Sequence, residues 1–318
     1  MRVVVTGGAG LVGRAIVRLL RDRGDTVVAL VRDPAKAAHL EDLGAELVRD
    51  DLSDILRLTG TLQGADAAIH AAGSYRVGIP TSERPAMRDA NVGTTTRMLE
   101  AAEAASVPRL VYVSTLNVYG NTRGMHVDET YRRDLRDGFL SWYDETKYEA
   151  HEVAMTMIEA GAPVVIAMPS QVYGPGDRTG FGEQLQLAYE GRLPYRALSG
   201  VRIGLVHADD LAAGIVAALD RGRLGEAYNL PGPDTTLGEA VALAARVGGK
   251  PVPRLTLPDG LLRVMAPLGR LLGQPNLREV VAASSGVTYL ATSDKAKAEL
   301  GFAPRPIEQG FRDTFAKA

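Results

Sequence analysis

The chain contains no cysteine. That excludes disulfides, thiolate metal sites and a cysteine nucleophile, and it suits a reducing, cytoplasmic setting. An excess of one charge is missing too: 36 Lys plus Arg stand against 38 Asp plus Glu, a net charge of −2. Nucleic acid, which needs a basic patch or domain, is therefore not an expected partner. Long apolar runs are absent. Leu255 to Leu272 is interrupted by Pro258, Asp259, Arg263, Pro267 and Arg270, so it is expected to pack as an amphipathic helix rather than enter a membrane. The opening run from Met1 is interrupted by glycines too early for a secretion signal. Of the histidines His39, His70, His126, His151 and His207, no two lie at metal-ligand helical spacing, and no metal is expected. His70 and His207, at strand ends, are expected to be structural. No Gly-x-Ser-x-Gly elbow occurs.

What is present is an alternation of short β-branched runs with helical stretches. The runs are Val3–Val5, Val27–Val31, Glu46–Val48, Ala67–His70, Leu110–Ser114 and Val164–Ala167. They are nearly continuous in apolar residues, as strands buried on both faces are. Between them, helices are predicted over Leu11–Arg23, Pro34–Leu43, Pro85–Ala105 and Trp142–Ala160, with Gly24 and Gly161 as stops. The texture then turns rich in Gly, Pro and Tyr from Pro169 to Arg202. Ile203–Leu219 reads as a strand and helix returning to the sheet, with Asp210 capping that helix. The fold class is α/β: a doubly wound parallel Rossmann sheet of six or seven strands with a smaller mixed α/β part. Residues 1–168 and 203–230 are assigned to the dinucleotide-binding domain, and residues 169–202 and 231–318 to a substrate-binding cap.

Thr6-Gly7-Gly8-Ala9-Gly10-Leu11-Val12-Gly13 follows the first strand and opens a helix. Gly7, Gly10 and Gly13 allow a tight turn and close approach of a pyrophosphate, and the helix start at Leu11 and Val12 offers N–H donors to it. A mononucleotide P-loop is excluded because Arg14-Ala15 stands where Lys-Ser/Thr is required. The second strand ends in Arg32-Asp33-Pro34. Arg32 is a planar fork suited to the extra phosphate of NADP, so NADP(H) is favoured. NAD(H) is the alternative, with Asp33 turned inward to the ribose. Asp51-Leu52 places a carboxylate either near an adenine amino group or in a plain turn.

Tyr143 and Lys147, four residues apart, share one face of a helix. A nearby ammonium and an oxidised nicotinamide favour the phenolate of a tyrosine, so Tyr143 becomes a candidate proton carrier for a carbonyl or alcohol, with Lys147 also free to hold the nicotinamide ribose. Ser114 and Thr115 offer hydroxyls at the end of a central strand, where open α/β sheets bind ligands.

Together, Thr6 to Gly13, Ser114-Thr115 and Tyr143…Lys147 resemble the short-chain dehydrogenase/reductase superfamily in its extended, NAD-dependent epimerase/dehydratase branch. So do Asp51-Leu52, His70-Ala71-Ala72, Asn91-Val92-Gly93-Thr94, Tyr173-Gly174-Pro175-Gly176-Asp177, Val206 to Leu211 and Leu300 to Pro304. The resemblance implies a catalytic trio of Thr115, Tyr143 and Lys147. It implies cofactor contacts at Ala71, Ala72, Asn91 and Ser114, and a loop beginning at Pro169 that passes the nicotinamide. It also implies a homodimer through Pro85–Ala105 and Trp142–Ala160. The Val31-Arg32-Asp33-Pro34 ending and Pro169-Ser170 are similar to dihydroflavonol-reductase-like enzymes, and the overall texture to the hopanoid-associated sugar epimerase subgroup. Met168 stands where many sugar-nucleotide enzymes have Arg or Asn, and the Asp-Glu pair of dehydratases is missing beside Thr115. Three functions are weighed. The first is NADP(H)-dependent reduction of a ketone or aldehyde, or the reverse oxidation of an alcohol. The second is NAD-dependent epimerisation of a sugar nucleotide. The third is dinucleotide binding without catalysis.

Overall fold

The structure, a computed structural model, describes residues 1–268 and 277–316. Strands and helices alternate from the first residues: β1 (Arg2–Thr6), α1 (Leu11–Asp22), β2 (Thr26–Val31), β3 (Glu46–Arg49), α2 (Ile55–Leu62) and β4 (Ala67–His70). Then come α3 (Arg84–Arg88), α4 (Thr94–Ala104), β5 (Leu110–Val113), α5 (Trp142–Glu159) and β6 (Val164–Pro169). The remainder holds β7 (Gln171–Tyr173), α6 (Gly180–Tyr189), β8 (Arg202–His207), α7 (Ala208–Arg221), β9 (Ala227–Leu230) and β10 (Asp234–Thr236). Five helices close the order: α8 (Leu237–Val247), α9 (Asp259–Met265), α10 (Leu277–Ser284), α11 (Asp294–Leu300) and α12 (Ile307–Phe315).

Seven strands form one parallel sheet in the order β3-β2-β1-β4-β5-β6-β9. This is a Rossmann sheet, and its order reverses between β1 and β4. Side-chain alternation sorts each strand between two cores. Val3, Val5, Ala29, Ile69, Val111 and Val165 pack with α1, α7 and α11 on one face. Val4, Val28, Ala68, Tyr112, Ile166 and Met168 pack with α2, α4 and α5 on the other. Gly24 and Gly161 follow α1 and α5 at φ 87° and 96°, a left-handed stop that glycine takes without a Cβ clash.

Several expectations are corrected. The strand predicted over 203–206 does not return to the main sheet. It is β8, the centre of a second sheet ordered β10-β8-β7, whose core combines Tyr173, Leu205, Ala240, Ile307 and Phe311. The return is made by β9, which the sequence reading missed because Ala227–Leu230 is short and carries Asn229. Helix α7 nevertheless packs on α1 under the main sheet. Its cap is His207, whose Nδ1 accepts from Asp209 N–H at 3.2 Å, while Asp210 binds Arg305. The helix predicted over Pro34–Leu43 is a shorter 3-10 helix over Pro34–Leu40, capped by Asp33. The one predicted over Pro85–Ala105 is α3 and α4 joined by a π turn over Asp89–Gly93. Of the amphipathic helix expected within Leu255–Leu272, α9 and a 3-10 turn over Ala266–Leu268 are present. Leu262 and Ala266 are buried, but Leu261, Val264 and Leu268 are exposed. Residues 269–272 of that expectation lie outside the described residues. Among the described residues, no helix is long and apolar enough to cross a membrane, and no group of His, Asp and Glu could hold a metal ion.

At the reversal point, β1 and β4 are tied through fully buried His70. Thr95 Oγ1 gives its one hydrogen to Asn91 O at 2.7 Å. His70 Nε2–H therefore donates to Thr95 Oγ1 at 3.1 Å, and His70 Nδ1 accepts from Thr6 Oγ1–H at 2.7 Å. Thr6 Oγ1 in turn accepts the Ala72 N–H at 3.2 Å. The imidazole is thus neutral, and burial, reinforced by Lys147, pushes its pKa down to about 3.

Two consequences are measurable. The unfolded chain takes up a proton at His70 below pH 6.5, which the fold refuses down to about 3. This contribution to stability is therefore full above pH 6.5 and is lost as pH falls. His70→Asn is expected to flatten the pH dependence of unfolding free energy below pH 6.5, read by urea titrations; an unchanged slope would contradict it. Phe311 has no exposed surface and packs edge-on to Tyr173 at 5.1 Å. Phe311→Ala is expected to cost about 3–5 kcal/mol in the same assay.

Candidate active site

The phosphate loop leaves β1 at Gly7, which has φ +74°. A Cβ there would sit 2.6 Å from the backbone of Ala71 and Ala72, and one on Gly13 would sit 2.1 Å from Gly7 O. Only hydrogen at both positions lets β1, α1 and the β4 end approach this closely. Gly10 N–H donates to Gly7 O at 3.0 Å and closes the turn. Helix α1 then begins with no side-chain cap and no acidic residue in its first turn. The N–H groups of Leu11, Val12 and Gly13 are left facing outward from the positive end of the helix, an arrangement that suits an anion.

At the end of β2, Arg32 is exposed and has no hydrogen bond or ion pair among the described residues. Asp33 is committed elsewhere: it accepts from Ala35 N–H at 3.2 Å and pairs with Lys36 at 3.4 Å. At the end of β3, Asp51 turns to Ser53, accepting from its N–H at 3.1 Å and its hydroxyl at 2.6 Å. Those bonds hold its carboxyl below the usual range. Leu52 is buried, at φ 63°.

The hydroxyl and ammonium groups gather between β5 and α5. Ser141 caps α5 by accepting Asp144 N–H at 3.0 Å. Asp144 meets Arg133 in an ion pair at 2.8 Å, with side chains 0% and 3% exposed, and also accepts Leu140 N–H at 3.0 Å. Trp142 N–H donates to Glu279 at 2.6 Å. The first turn of α5, which carries Tyr143, is therefore held on three sides. Thr115 caps the 3-10 turn after β5 by accepting Asn117 N–H at 3.3 Å, and its hydroxyl donates to Asn117 Oδ1 at 3.1 Å on the side of the Tyr143 phenol. One turn along, Lys147 Nζ donates to the Tyr112 hydroxyl and to Val113 O, each at 3.2 Å. Two of its three N–H donors are thus used among the described residues.

Other predicted residues fall differently. Ser114 turns from Tyr143 to His151, with Oγ 3.1 Å from Nδ1. Asn91 is buried at the π turn. Its Nδ2 donates to Thr146 Oγ1 at 2.9 Å and Ser74 O at 3.2 Å, and its Oδ1 accepts Ser74 N–H at 2.7 Å. It therefore ties the loop after β4 to α5. Ala71 and Ala72 border Gly7, and Pro169 is buried at the end of β6.

Burial, with Tyr75 adding to it, holds the Tyr143 phenol well above its ordinary pKa, and the Thr115 hydroxyl offsets part of that. Tyr143 is therefore a protonated donor. The half-exposed ring of Tyr75 stands edge-on to it at 4.8 Å. Val77, Ile79, Met87 and Trp142 complete an apolar cluster around it. A cavity of about 690 Å³ opens beside Leu11 along the flank of α1, reaching Arg14, Gly174, Asp177 and Leu185; Tyr143 does not line it.

The sequence reading missed Tyr112, His151 and the Arg133–Asp144 pair. His151 had a signal, since Tyr143, Lys147 and His151 repeat every four residues along one helix face. Arg133 had none, because the loop that brings it to α5 has no periodicity.

Residues 3–230 match the NAD dependent epimerase/dehydratase family. A Synechocystis protein, provisionally named a dihydroflavonol 4-reductase, is 32% identical over 97% of this chain and 92% of its own. A ketoreductase from Stigmatella aurantiaca, named for a farnesyl dihydroquinoline oxide, is 31% identical over 100% and 96%. The crystal structure of gox2253 superposes with a TM-score of 0.87 at 33% identity, covering 99% of this chain and 97% of that one. A nucleoside-diphosphate-sugar epimerase from Pseudomonas aeruginosa superposes at 0.82 with 26% identity, over 100% and 97%. The chain belongs to the NAD dependent epimerase/dehydratase family, the extended branch of the short-chain dehydrogenase/reductases, whose members are NAD(P)-dependent oxidoreductases and epimerases.

Proposed function

We propose that this protein is an NADP(H)-dependent reductase of a small carbonyl compound, running in reverse as an alcohol dehydrogenase. The observation that carries the reading is the buried Tyr143 on α5, one helical turn from a Lys147 anchored to β5, with Thr115 at the end of that strand. When bound, the nicotinamide donates or takes the hydride. Thr115 holds the substrate oxygen, and Tyr143 gives its proton to that oxygen as the carbonyl is reduced. Lys147 has one N–H left for a ribose hydroxyl. The glycine cradle and the open start of α1 fit a pyrophosphate.

The free Arg32 fork supports NADP over NAD, as does the commitment of Asp33 to its cap and to Lys36. The apolar cluster around Tyr143 supports an uncharged, apolar ketone over a sugar nucleotide. So does likeness to a ketoreductase whose named substrate bears a farnesyl chain. We assign the main sheet with α7 to cofactor binding. The second sheet, β8 included, and its helices form the cap over the substrate.

Tyr143→Phe is expected to lower turnover at least about a thousandfold, within the range of general acid catalysis, with NADPH affinity unchanged in a fluorescence titration; unchanged turnover would remove Tyr143 from the chemistry. Arg32→Asp is expected to raise KM for NADPH about tenfold or more while leaving NADH nearly unaffected. Equal effects on the two would take Arg32 out of the phosphate site. Protein that retains tightly bound NAD and does not turn over added NADPH would replace this reading with the epimerase.

A further inference from the structure

Lys147 is not aimed by helix geometry alone. Its ammonium is buried and needs acceptors. Among the described residues it finds two, the Val113 carbonyl and the Tyr112 hydroxyl, both at 3.2 Å. Any residue at position 113 other than one that breaks the strand would supply the first. The second depends on Tyr112. Strand alternation turns Leu110 and Tyr112 toward α5, into an apolar layer. The hydroxyl is thus the one polar atom that β5 side chains add to this layer.

Its position is fixed from several directions. Tyr112 has no exposed surface, and Nζ lies 5.0 Å from its ring centroid. The ring lies against His70, with centroids 5.9 Å apart and planes 20° from parallel. His70 is itself bonded at both nitrogens, to Thr6 and Thr95. One turn beyond Lys147 on α5, His151 is held by Ser114. Burial and Lys147 push the two imidazoles down to about 3 and about 4. Lys147 is therefore a cation near two neutral rings, with Tyr112 as its side-chain acceptor.

We propose that Tyr112 is a positioning residue for the reaction: its hydroxyl fixes the Lys147 ammonium at the end of β5, one turn from Tyr143, so that its remaining N–H serves the cofactor ribose. The proposal rests on the roles given to Tyr143 and Lys147 above. It makes the β1–β4 tie through His70 part of what aims the lysine.

The chain has six lysines, few enough to resolve in an NMR spectrum of protein carrying carbon-labelled lysine. The Lys147 side-chain resonance is assigned by its loss in Lys147→Met. In Tyr112→Phe, without cofactor, that resonance is expected to move while the other five stay. The dissociation constant for NADPH is expected to rise about tenfold, the loss of one charge-assisted hydrogen bond. A wild-type resonance or a wild-type NADPH affinity in this variant overturns the proposal. Should Tyr112→Phe not fold, the wild-type protein carries the test: a cross-relaxation signal between the Tyr112 ring and the Lys147 side chain is expected, and its absence overturns the contact. Reduction of benzil by Tyr143→Phe is measured in parallel. Turnover retained there removes Tyr143 from the chemistry while the resonance still reports whether Tyr112 holds Lys147. Turnover lost there, with Tyr112→Phe wild-type in both readouts, removes only the positioning role.

Discussion

The approach of three backbones at Gly7 is the constraint on which the rest of the site depends. The turn after β1, the start of α1 and the end of β4 meet at distances that no Cβ tolerates. That contact sets where the N–H groups at the start of α1 point. It also brings Thr6 beside His70, so the same packing that shapes an anion cradle locks the end of β4. From His70 the order passes to Tyr112 by ring contact and to Lys147 by a hydrogen bond. The phosphate loop and the ammonium near Tyr143 are thus parts of one packed layer at the reversal point of the sheet.

Electrostatics at this layer follow from burial more than from charge pairing. The imidazoles of His70 and His151 stay neutral because they are desolvated beside a cation. Tyr143 keeps its proton because the apolar cluster of Val77, Ile79, Met87 and Trp142 excludes water from it. The nearly balanced composition has no part in this. Among the described residues, the one fully buried ion pair near the site, Arg133 with Asp144, fixes the first turn of α5.

The main sheet was legible because parallel strands buried on both faces leave a plain mark, short runs of Val, Ile and Ala between helical stretches. Gly24 and Gly161 marked their helix ends for a local reason, the left-handed backbone. The second sheet was not legible. Gln171–Tyr173 and Asp234–Thr236 are three residues each, the second polar throughout, and they become strands only because β8 lies between them. The assignment of Ile203–Val206 to the main sheet failed for the same reason: an apolar run states that it is buried, not which neighbour buries it. Asp210 was read as a cap because acids favour helix starts, but Arg305, 95 residues away in the chain, claims it.

The sequence by itself determined the fold family, the glycine loop, and the spacing that puts Tyr143 and Lys147 on one helix face, since these depend on local backbone geometry and a period of about 3.6 residues. Tertiary structure alone decided which groups those side chains meet. It turned Ser114 to His151 and the Thr115 hydroxyl to Asn117, directed Asp51 into a local turn and Asp33 into a local cap, and gave Lys147 the hydroxyl of Tyr112. Each of these outcomes is a choice among nearby partners, and that choice depends on where distant segments stop and which polar atoms they leave unpaired.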